Sequence, residues 1–393
     1  MQAAAQISES AELIKEANLD LSLKLLKNFA SDGSDNFIVS PFSVYMITDM
    51  MANGAENETL TEMTENILAP KQDITLQTFN ESMTDYLKAK RYDGKTQSQE
   101  IQNNSITDDT DFLREFQIEI NNAIWAEDLS PKYKEDIKKY LNADTFALPN
   151  NTSVINKWIE KKTHKKISKL LDERDITSND AYIVNTTYFK DNWETPFEES
   201  GTIKTDFYSL NKEQSTPVNM MHQAIITSYF EDENMQALRL SYASGKSLQI
   251  FLPRENVDFN TFLQNLQLED LDSKYYQATV SLYLPRFKIY NLVENMPEFF
   301  KNTGVKRIFE SSAQLGPMSG KPVRISQILH AASITIDENG TEAAAATAVD
   351  LEVGLGRHDM NEIPFVTFNA NHPFIFMIDN GLFVGVYTQG SLQ

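Results

Sequence analysis

The first part of the chain switches from helical to strand spacing and back. Between positions 8 and 29, apolar residues recur at about every fourth position, which places them on one face of a helix. These residues are Leu13, Ala17, Leu21, Leu25 and Phe29. A short apolar segment at 36–40 predicts a strand. A second helix should follow over 40–51, because Ser40 is a good N-cap, Pro41 suits a first helical turn and Gly54 marks the far end.

The remainder of the chain mixes strands and helices. Stretches rich in Val, Ile, Tyr and Phe predict strands at 121–125, 181–189, 238–252, 278–290, 363–376 and 381–388. Between them, 155–171 carries an apolar stripe opposite a row of lysines and predicts an amphipathic surface helix. There is no regular βαβ alternation and no linker rich in Pro, Gly or Ser, so we expect one mixed α+β domain over 1–393.

Composition and charge narrow the classes of function. With 41% hydrophobic and 23% charged residues among 393, the chain is globular rather than collagen-like, coiled-coil or wholly disordered. The formal net charge of −21 repels phosphate backbones and anionic lipid. No apolar run approaches the roughly 18 residues of a membrane helix. We therefore expect neither nucleic acid nor a membrane as a partner.

No motif of common enzyme chemistry is found, and the abundant Ser, His and Asp cannot be assembled into a triad from sequence order alone. The chain has no cysteine, which excludes disulfides, thiolate catalysis and Cys-ligated zinc. None of the five histidines shows HExxH spacing, so we expect no metal site and no cofactor. There is no GxSxG elbow, and GKS at 245–247 lacks the first glycine of a phosphate loop because position 240 is Leu. We expect that the protein is not an enzyme.

Glycosylation sequons give a hint of the compartment. They stand at Asn57, Asn80, Asn103, Asn150, Asn151, Asn185 and Asn339. An Asn- and Thr-rich chain generates several by chance, yet together they favour secretion. The start MQAAAQISES lacks the basic and then apolar pattern of a targeting segment, so a signal peptide would already have been removed. We expect an extracellular, monomeric glycoprotein.

Two clusters of cations are conspicuous in so acidic a chain. The first contains Lys88, Lys90, Arg91 and Lys95. The second, on the face of 157–169, includes Lys161, Lys162, Lys165 and Lys166. Such clusters can attract a polyanion such as a sulfated, heparin-like glycosaminoglycan. A solvated helix face needs no partner, however, and both interpretations stay open at this point.

The most informative segment is 334–368, ITIDENGTEAAAATAVDLEVGLGRHDMNEIPFVTF. A strand-like ITID leads into Asn339 and Gly340, a natural hinge because glycine tolerates backbone angles denied to other residues. From Thr341 to Ala348 every side chain except Glu342 is small, and alternate ones would share one face of a strand. Taken alone, EAAAATA would also make a short helix. Because the run follows directly from a strand and leads into a charge-bearing stretch, we expect an exposed loop.

Seven motifs occur along the chain in an order typical of a known family. They are NFIVSPFSV (36–44), NGAENETLTEM (53–63), INKWIEKKT (155–163), NTTYFKDNWETPF (185–197), LYLPRF (282–287), DENGTEAAAATA (337–348) and FNANHPFIF (368–376). Through them the chain resembles the serpins, the serine protease inhibitor family, over nearly its whole length. Any one motif would be weak, but jointly they are highly specific.

The resemblance implies a fold and a mechanism. The fold is expected to contain three β-sheets and about nine helices, with an exposed reactive-centre loop at about 338–364. A target serine protease would cut this loop as bait. While the acyl-enzyme bond tethers the protease in a covalent 1:1 complex, the first part of the loop would insert into the large sheet as a new central strand. The native state would then be metastable, held by a kinetic barrier.

The hinge residues suit insertion on physical grounds. They are Glu338, Gly340, Thr341, Glu342, Ala343, Ala344, Ala345 and Ala346. Small side chains can enter between strands without the cost of about 1–3 kcal/mol of overpacking a filled core. The inserted residues would also gain ladder hydrogen bonds on both edges.

The resemblance assigns two further groups of residues to the opening of the sheet. Ser40, Ser43, Asn185 and His330 are similar to a polar cluster beneath the sheet. Trp193, Arg286 and Glu338 are similar to the place where insertion begins. Asn185 is also a sequon, and we expect it to be buried rather than glycosylated.

The position of the cut has two interpretations. Counting fourteen positions beyond Gly340, as in the family, gives the bond between Gly354 and Leu355. Glycine offers a protease no side chain to bind, whereas Arg357 would suit a trypsin-like pocket with a buried carboxylate and Leu355 a hydrophobic one. The stretch after 354 is longer than in many relatives. We favour a cut between Arg357 and His358 by a trypsin-like protease, with Gly354 to Leu355 as the alternative.

Two alternatives keep the fold and change the activity. Some serpins are carriers or chaperones without inhibition, but a charged or bulky residue at 341, 343 or 345 would be expected for these, and none is present. A cysteine protease also forms an acyl-enzyme and could be the target instead.

Overall fold

A computed structural model describes the chain at 2–30, 35–70, 74–90, 116–167, 170–176, 180–210, 214–268, 271–293, 296–342 and 363–390. These ranges contain eight α-helices. They are α1 (Gln2–Phe29), α2 (Pro41–Asn53), α3 (Asn57–Met63), α4 (Leu76–Lys90), α5 (Pro131–Leu141), α6 (Ser153–Lys162), α7 (Phe259–Asn265) and α8 (Met296–Asn302). No helix in the described part of the chain is long and apolar enough to cross a membrane.

The strands are numbered in chain order. They are β1 (Phe37–Val39), β2 (Gln117–Trp125), β3 (Asp144–Phe146), β4 (Asp180–Asn192), β5 (Ile203–Tyr208), β6 (Ser215–Glu231), β7 (Met235–Ser241), β8 (Ser247–Pro253), β9 (Tyr276–Pro285), β10 (Phe287–Val293), β11 (Arg324–Ile336), β12 (Gly340–Thr341), β13 (Phe365–Asn369), β14 (Phe374–Ile378) and β15 (Phe383–Tyr387). The predicted α+β class is confirmed. Three of the predicted stretches, 238–252, 278–290 and 363–376, are each split into two strands by a turn or break.

The second helix begins and ends as its sequence predicts. The Ser40 hydroxyl accepts a hydrogen bond from the Ser43 N–H, Pro41 occupies the first turn, and Gly54 is the C-cap. The Gly54 N–H donates to the Met51 and Ala52 carbonyls, which satisfies acceptors that a helix end leaves unpaired. This helix is buried throughout its length and packs against β4 of the six-stranded sheet.

The helix predicted over 155–171 is wrong in its second half. The helix α6 ends at Lys162, and His164 and Lys165 have left-handed backbones with φ of 50° and 63°. Ile167 is nevertheless buried in the apolar cluster beneath α6, and so are Leu170 and Leu171. The apolar spacing therefore reports burial on one side, which a packed loop can supply as well as a helix.

A nine-stranded sheet runs in the order β1-β15-β14-β8-β7-β6-β9-β13, with β5 also paired to β6. The expected three sheets are not found as separate sheets in the described residues, which form two. The reason is the 17-residue length of β6. It pairs with β5 over 215–220, with β9 over 220–229 and with β7 over 228–231, so strands that could form two sheets are joined.

The six-stranded sheet positions the site. Its order is β10-β11-β12-β4-β2-β3, and β11 and β4 also pair directly. One face packs on the main core, which includes α2 and the nine-stranded sheet. The other face is covered by α6, whose Ile155 and Ile159 pack with Tyr182 of β4 and Leu329 of β11. A strand entering this sheet would therefore be enclosed on both faces.

Candidate functional site at the seam of the six-stranded sheet

Two parallel strands separate at one end of the six-stranded sheet. The strand β11 pairs with β4 from Arg324 opposite Asp180 to Ala332 opposite Thr187. Beyond Thr187 the two strands no longer pair with each other, and β12 lies between them. Thr341 of β12 pairs with Asp191 on β4 and with Ile336 on β11, antiparallel to both. The first residues of the expected loop thus already lie between the two strands, a boundary that we call the seam.

A tight turn carries the chain from β11 into β12. The Asp337 carboxylate accepts hydrogen bonds from the Asn339 and Gly340 N–H groups, at 2.9 and 3.2 Å. Gly340 has φ of +153°, and a Cβ there would lie 2.2 Å from the Asp191 carbonyl oxygen. A side chain cannot fit at that distance, so the turn requires glycine at this position.

Thr341 is fixed in a buried polar environment. It is 1% exposed, and its hydroxyl lies 2.6 Å from the Tyr242 hydroxyl.

The Asp191 carboxylate accepts a hydrogen bond from the Ser244 hydroxyl. Burial raises the pKa of Asp191 to about 7, against the opposing effect of the Ser244 hydrogen bond and of the charge on Lys246. The entrance of the seam therefore contains a carboxyl group that titrates near neutral pH.

Trp193, Arg286 and Glu338 meet at this entrance. The Trp193 indole N–H donates to the Asp337 carbonyl at 2.9 Å, and its ring stacks on Tyr242 with centroids 4.4 Å apart. The Glu338 carboxylate, 3% exposed, accepts hydrogen bonds from Arg286 and from the Thr202 hydroxyl. Burial alone would raise the pKa of Glu338, but these two hydrogen bonds prevail and lower it. The group holds β12 to the end of β4.

Glu342 is the last described residue before the loop, and its side chain is buried. Its N–H donates to the Thr335 carbonyl at 2.9 Å, its φ is 53°, and its carboxylate lies 3.1 Å from the Lys166 ammonium. Burial, followed by the charges of Glu342 and Glu119, raises the pKa of Tyr188 to about 12. The contact between Glu342 and Lys166 ties the hinge to the segment that follows α6.

A chain of buried polar groups crosses the sheet below the entrance. The Ser40 N–H donates to His330 Nε2 at 3.0 Å, while the Ser43 hydroxyl contacts Thr187. The Thr187 hydroxyl donates to the Asn185 side-chain oxygen at 3.2 Å. All four residues that the resemblance assigns to this cluster are 0% exposed, including Asn185, which opposes His330 across the seam.

His330 is held neutral in this cluster. Burial lowers the pKa of its imidazole to about 3. Because Nε2 accepts from Ser40, the proton of the neutral ring lies on Nδ1. This Nδ1 has no hydrogen-bond partner in the described residues. The cluster therefore contains a donor that a group entering the seam can satisfy.

Sequence reasoning missed several partners in both groups. Asn122 on β2 accepts a hydrogen bond from Asn185 at 2.8 Å, and Thr187 links Asn185 to Ser43. Thr202 and Tyr242 complete the entrance. The available signal was a polar residue at an apolar position of an alternating strand, because Asn122 in QIEINNAIW follows Ile118 and Ile120 at even spacing.

Several predicted cations are engaged by carboxylates. Lys90 lies 3.3 Å from Asp379, and Lys166 neutralises Glu342. The side chain of Lys88 is 66% exposed beside Asp85. Lys161 and Lys165 are exposed, whereas Lys162 is half-buried and lies over the Trp158 ring. Arg91 and Lys95 lie outside the described residues, and a polyanion site stays a prediction.

The predicted reactive bond also lies outside the described residues. This applies to Gly354, Leu355, Arg357 and His358, and to the hinge residues Ala343, Ala344, Ala345 and Ala346. Both candidate bonds stay predictions.

Comparison with known proteins identifies the family. The family model "Serpin (serine protease inhibitor)" matches residues 16–389, and the chain belongs to this family. Serpin B10 of Plecturocebus moloch is 31% identical over 404 residues, covering 95% of this chain and 98% of that protein. Members of the family are generally protease inhibitors.

Solved structures agree with the fold. The native state of the thermophilic serpin tengpin is 27% identical, with a TM-score of 0.78, covering 95% of this chain and 93% of tengpin. Human thyroxine-binding globulin complexed with thyroxine is 22% identical, with a TM-score of 0.76, covering 97% of this chain and all of that one. The same fold thus serves a protein whose name describes binding a small molecule.

Proposed function

We propose that this protein is a suicide-substrate inhibitor of serine proteases. After a protease cuts the reactive-centre loop, the loop inserts along the seam between β4 and β11 and traps the acyl-enzyme. The observation that carries the proposal is β12: Gly340 and Thr341 already pair within the separated end of the seam. Insertion then only extends a strand that has begun.

The pairing of β12 fixes where the following residues would go. Because Thr341 opposes Asp191 and the strands are antiparallel, each later residue opposes one residue earlier on β4. Ala343 would oppose Phe189 and Ala345 would oppose Thr187. The residues that reach the buried face on which Thr341 lies are therefore small, as insertion into a packed core requires.

The same register brings Thr347 to the polar cluster. Thr347 would oppose Asn185, whose present neighbour on β11 is His330. A threonine hydroxyl at that place can accept from His330 Nδ1, which has no partner in the described residues. Opening the seam breaks direct pairs between β4 and β11, and insertion replaces them with ladder hydrogen bonds on both edges of a new strand. The inserted state is thus lower in free energy than the intact one, which a kinetic barrier preserves.

We place the cut after Arg357, by a trypsin-like protease. The register ends when Glu352 opposes Asp180, the first residue of β4. A cut after Arg357 leaves five residues between that point and the acyl bond, against two for a cut after Gly354. The three additional residues add about 10 Å of slack at about 3.3 Å each, which weakens the pull on the protease. Recognition of an arginine side chain supports Arg357 against this cost.

A panel of proteases tests the proposal. The protein is incubated with trypsin-like, chymotrypsin-like and papain-like enzymes, and the products are separated under denaturing conditions and mapped by mass spectrometry. We expect a detergent-resistant 1:1 adduct with a trypsin-like protease, formed with cleavage after Arg357. Cleavage at Gly354 to Leu355 by a papain-like enzyme, with an adduct, would transfer the proposal to cysteine proteases. Cleavage without any adduct would refute inhibition.

A carrier function is the second candidate. A cavity of about 470 Å³ lies between α1 and the nine-stranded sheet, lined by apolar residues such as Leu13 and Met377 and by polar ones such as Gln249 and Lys15. The volume suits a small ligand. A carrier would form no adduct with any protease, and its intact form would gain heat resistance when a ligand fills the cavity.

A further inference from the structure

A second cleft opens at the far end of the seam from the hinge. Its volume is about 340 Å³, and its lining residues include Arg174, Asp180, Tyr182, Arg324 and Gln327. The Arg324 guanidinium donates to the Asp180 carboxylate at 2.5 Å, across the paired ends of β11 and β4. The Asp180 side chain is 7% exposed and that of Arg324 is 67% exposed. The cleft thus presents an accessible cation at the bottom of the seam.

The register of β12 brings two acidic loop residues to this cleft. Counted from Thr341 opposite Asp191, Asp350 falls opposite Tyr182 and Glu352 opposite Asp180. Across the seam, Tyr182 now pairs with Gln327 and Asp180 with Arg324. In the inserted strand, Asp350 would therefore lie between Tyr182 and Gln327, and Glu352 between Asp180 and Arg324.

The side chains would also point to the correct face. Paired residues in a sheet share a face, and residues two apart along a strand share it as well. Tyr182 and Asp180 lie on the face of β4 that is covered by α6. Asp350 and Glu352 lie at even spacing from Glu342, whose carboxylate meets Lys166 on that same face.

Insertion changes the partners of the existing ion pair. A new strand moves β4 and β11 apart by one strand spacing, about 4.8 Å, which breaks the direct contact between Arg324 and Asp180. Glu352 would stand between them, beside the like charge of Asp180, and would be stable there only with a cation in contact. We propose that this cleft is a docking site for Asp350 and Glu352 of the inserted loop, and that Arg324 exchanges Asp180 for Glu352. This inference rests on the proposed insertion.

The first test compares intact and loop-cleaved protein in thermal melts. Glu352→Gln should leave the melting temperature of the intact protein unchanged and lower that of the cleaved protein by about 2 °C or more. The matched control is Glu362→Gln, an acid on the other side of every candidate bond, which should change neither. An equal melting temperature for cleaved wild type and cleaved Glu352→Gln would overturn the docking site.

A charge exchange tests the pairing with Arg324. In the cleaved form, Arg324→Glu should destabilise the protein, and combining it with Glu352→Arg should restore most of the loss. In the intact form, Glu352→Arg should restore nothing, since Glu352 is not docked there. Absence of rescue in the cleaved form would contradict the exchange.

A peptide version avoids any protein variant that fails to fold. A synthetic peptide of residues 343–353, which begins beyond the part of the loop that already lies in the seam, is incubated with the intact wild-type protein, alongside the same peptide with Glu352→Gln. We expect the peptide with Glu352 to bind more tightly than the peptide with Glu352→Gln, and equal binding of the two would overturn the proposal. The melts separate failure of the docking site from failure of the proposed function. If cleaved wild type gains no heat resistance, the inhibitory function fails. If cleaved wild type and cleaved Glu352→Gln gain the same heat resistance, only the docking site fails.

Discussion

Replacing Thr341 by arginine tests the entrance of the seam. In the intact protein this residue is 1% exposed and contacts the Tyr242 hydroxyl at 2.6 Å. Thr341→Arg removes a buried hydrogen bond, which costs about 1 kcal/mol, and buries a guanidinium without a built partner, which costs about 3–5 kcal/mol. The lower end of the combined cost, about 4 kcal/mol, corresponds to a factor of about 10³ in an equilibrium or rate constant.

The consequence is a competition between two fates of the acyl-enzyme. In the proposed inhibition, the cut loop has to insert before water hydrolyses the acyl bond. In the intact variant we expect the arginine to leave the seam and to take β12 with it, so that insertion of the cut loop has to bury the guanidinium. Slowing this first step by about 10³ lets hydrolysis win, so the variant becomes a substrate. Titration of residual protease activity against inhibitor concentration measures this directly. We expect wild type to inhibit near 1:1 and Thr341→Arg to be cleaved with little inhibition.

Thr341→Ser provides the matched control, because it keeps the hydroxyl and remains small. It should inhibit as wild type does. If Thr341→Arg also inhibits at 1:1 and forms the same detergent-resistant adduct, burial of Thr341 is not required for inhibition and the reasoning fails.

Two further changes probe the same entrance. Gly340→Ala places a Cβ 2.2 Å from the Asp191 carbonyl oxygen, so β12 should leave the seam. Faster hydrogen exchange at the backbone amides of positions 340 and 341 would report this change. Asp191→Asn removes a carboxyl whose pKa is about 7 in the folded protein and 3.8 in the unfolded reference. Between these values the folded state binds the additional proton, so its contribution to the free energy of unfolding is present at low pH and is lost as pH rises from about 4 to about 7, by on the order of 4 kcal/mol. In denaturant melts across this range, the slope of the free energy of unfolding against pH should be more positive by about 1.4 kcal/mol per pH unit in the variant than in wild type.

These two predictions have separate controls. Exchange at the amides of β9, in the other sheet, should not change in Gly340→Ala, and unchanged exchange at β12 would contradict the steric argument. For the titration, Asp206→Asn alters an exposed carboxylate and should keep the wild-type slope. The same slope in Asp191→Asn would show that Asp191 is ionised in the folded protein.

The ends of a helix were predictable where the capping residues lie close to the helix in sequence. Ser40, Pro41 and Gly54 bound α2 as expected because capping uses groups within a few residues. The end of α6 was not predictable in this way. Ile167 keeps its buried position after the helix stops, so its spacing carried no information about the left-handed backbone of His164.

The candidate site was predictable in its members and less so in its contacts. Ser40, His330 and Asn185 meet as the family motifs implied. Partners that are distant in sequence were missed, such as Asn122, which contacts Asn185 from 63 positions away. The ion pair of Lys166 with Glu342 was missed for the same reason, since a lysine in a cationic stretch has no local signal for a buried carboxylate.

The proposed inhibition requires that the intact chain holds free energy that cleavage of the loop releases. Thermal unfolding of intact and loop-cleaved wild-type protein, followed side by side by circular dichroism, measures this most directly. The cleaved protein should melt at a much higher temperature, because its loop would have become a central strand between β4 and β11. Identical melting temperatures for the two forms would contradict it.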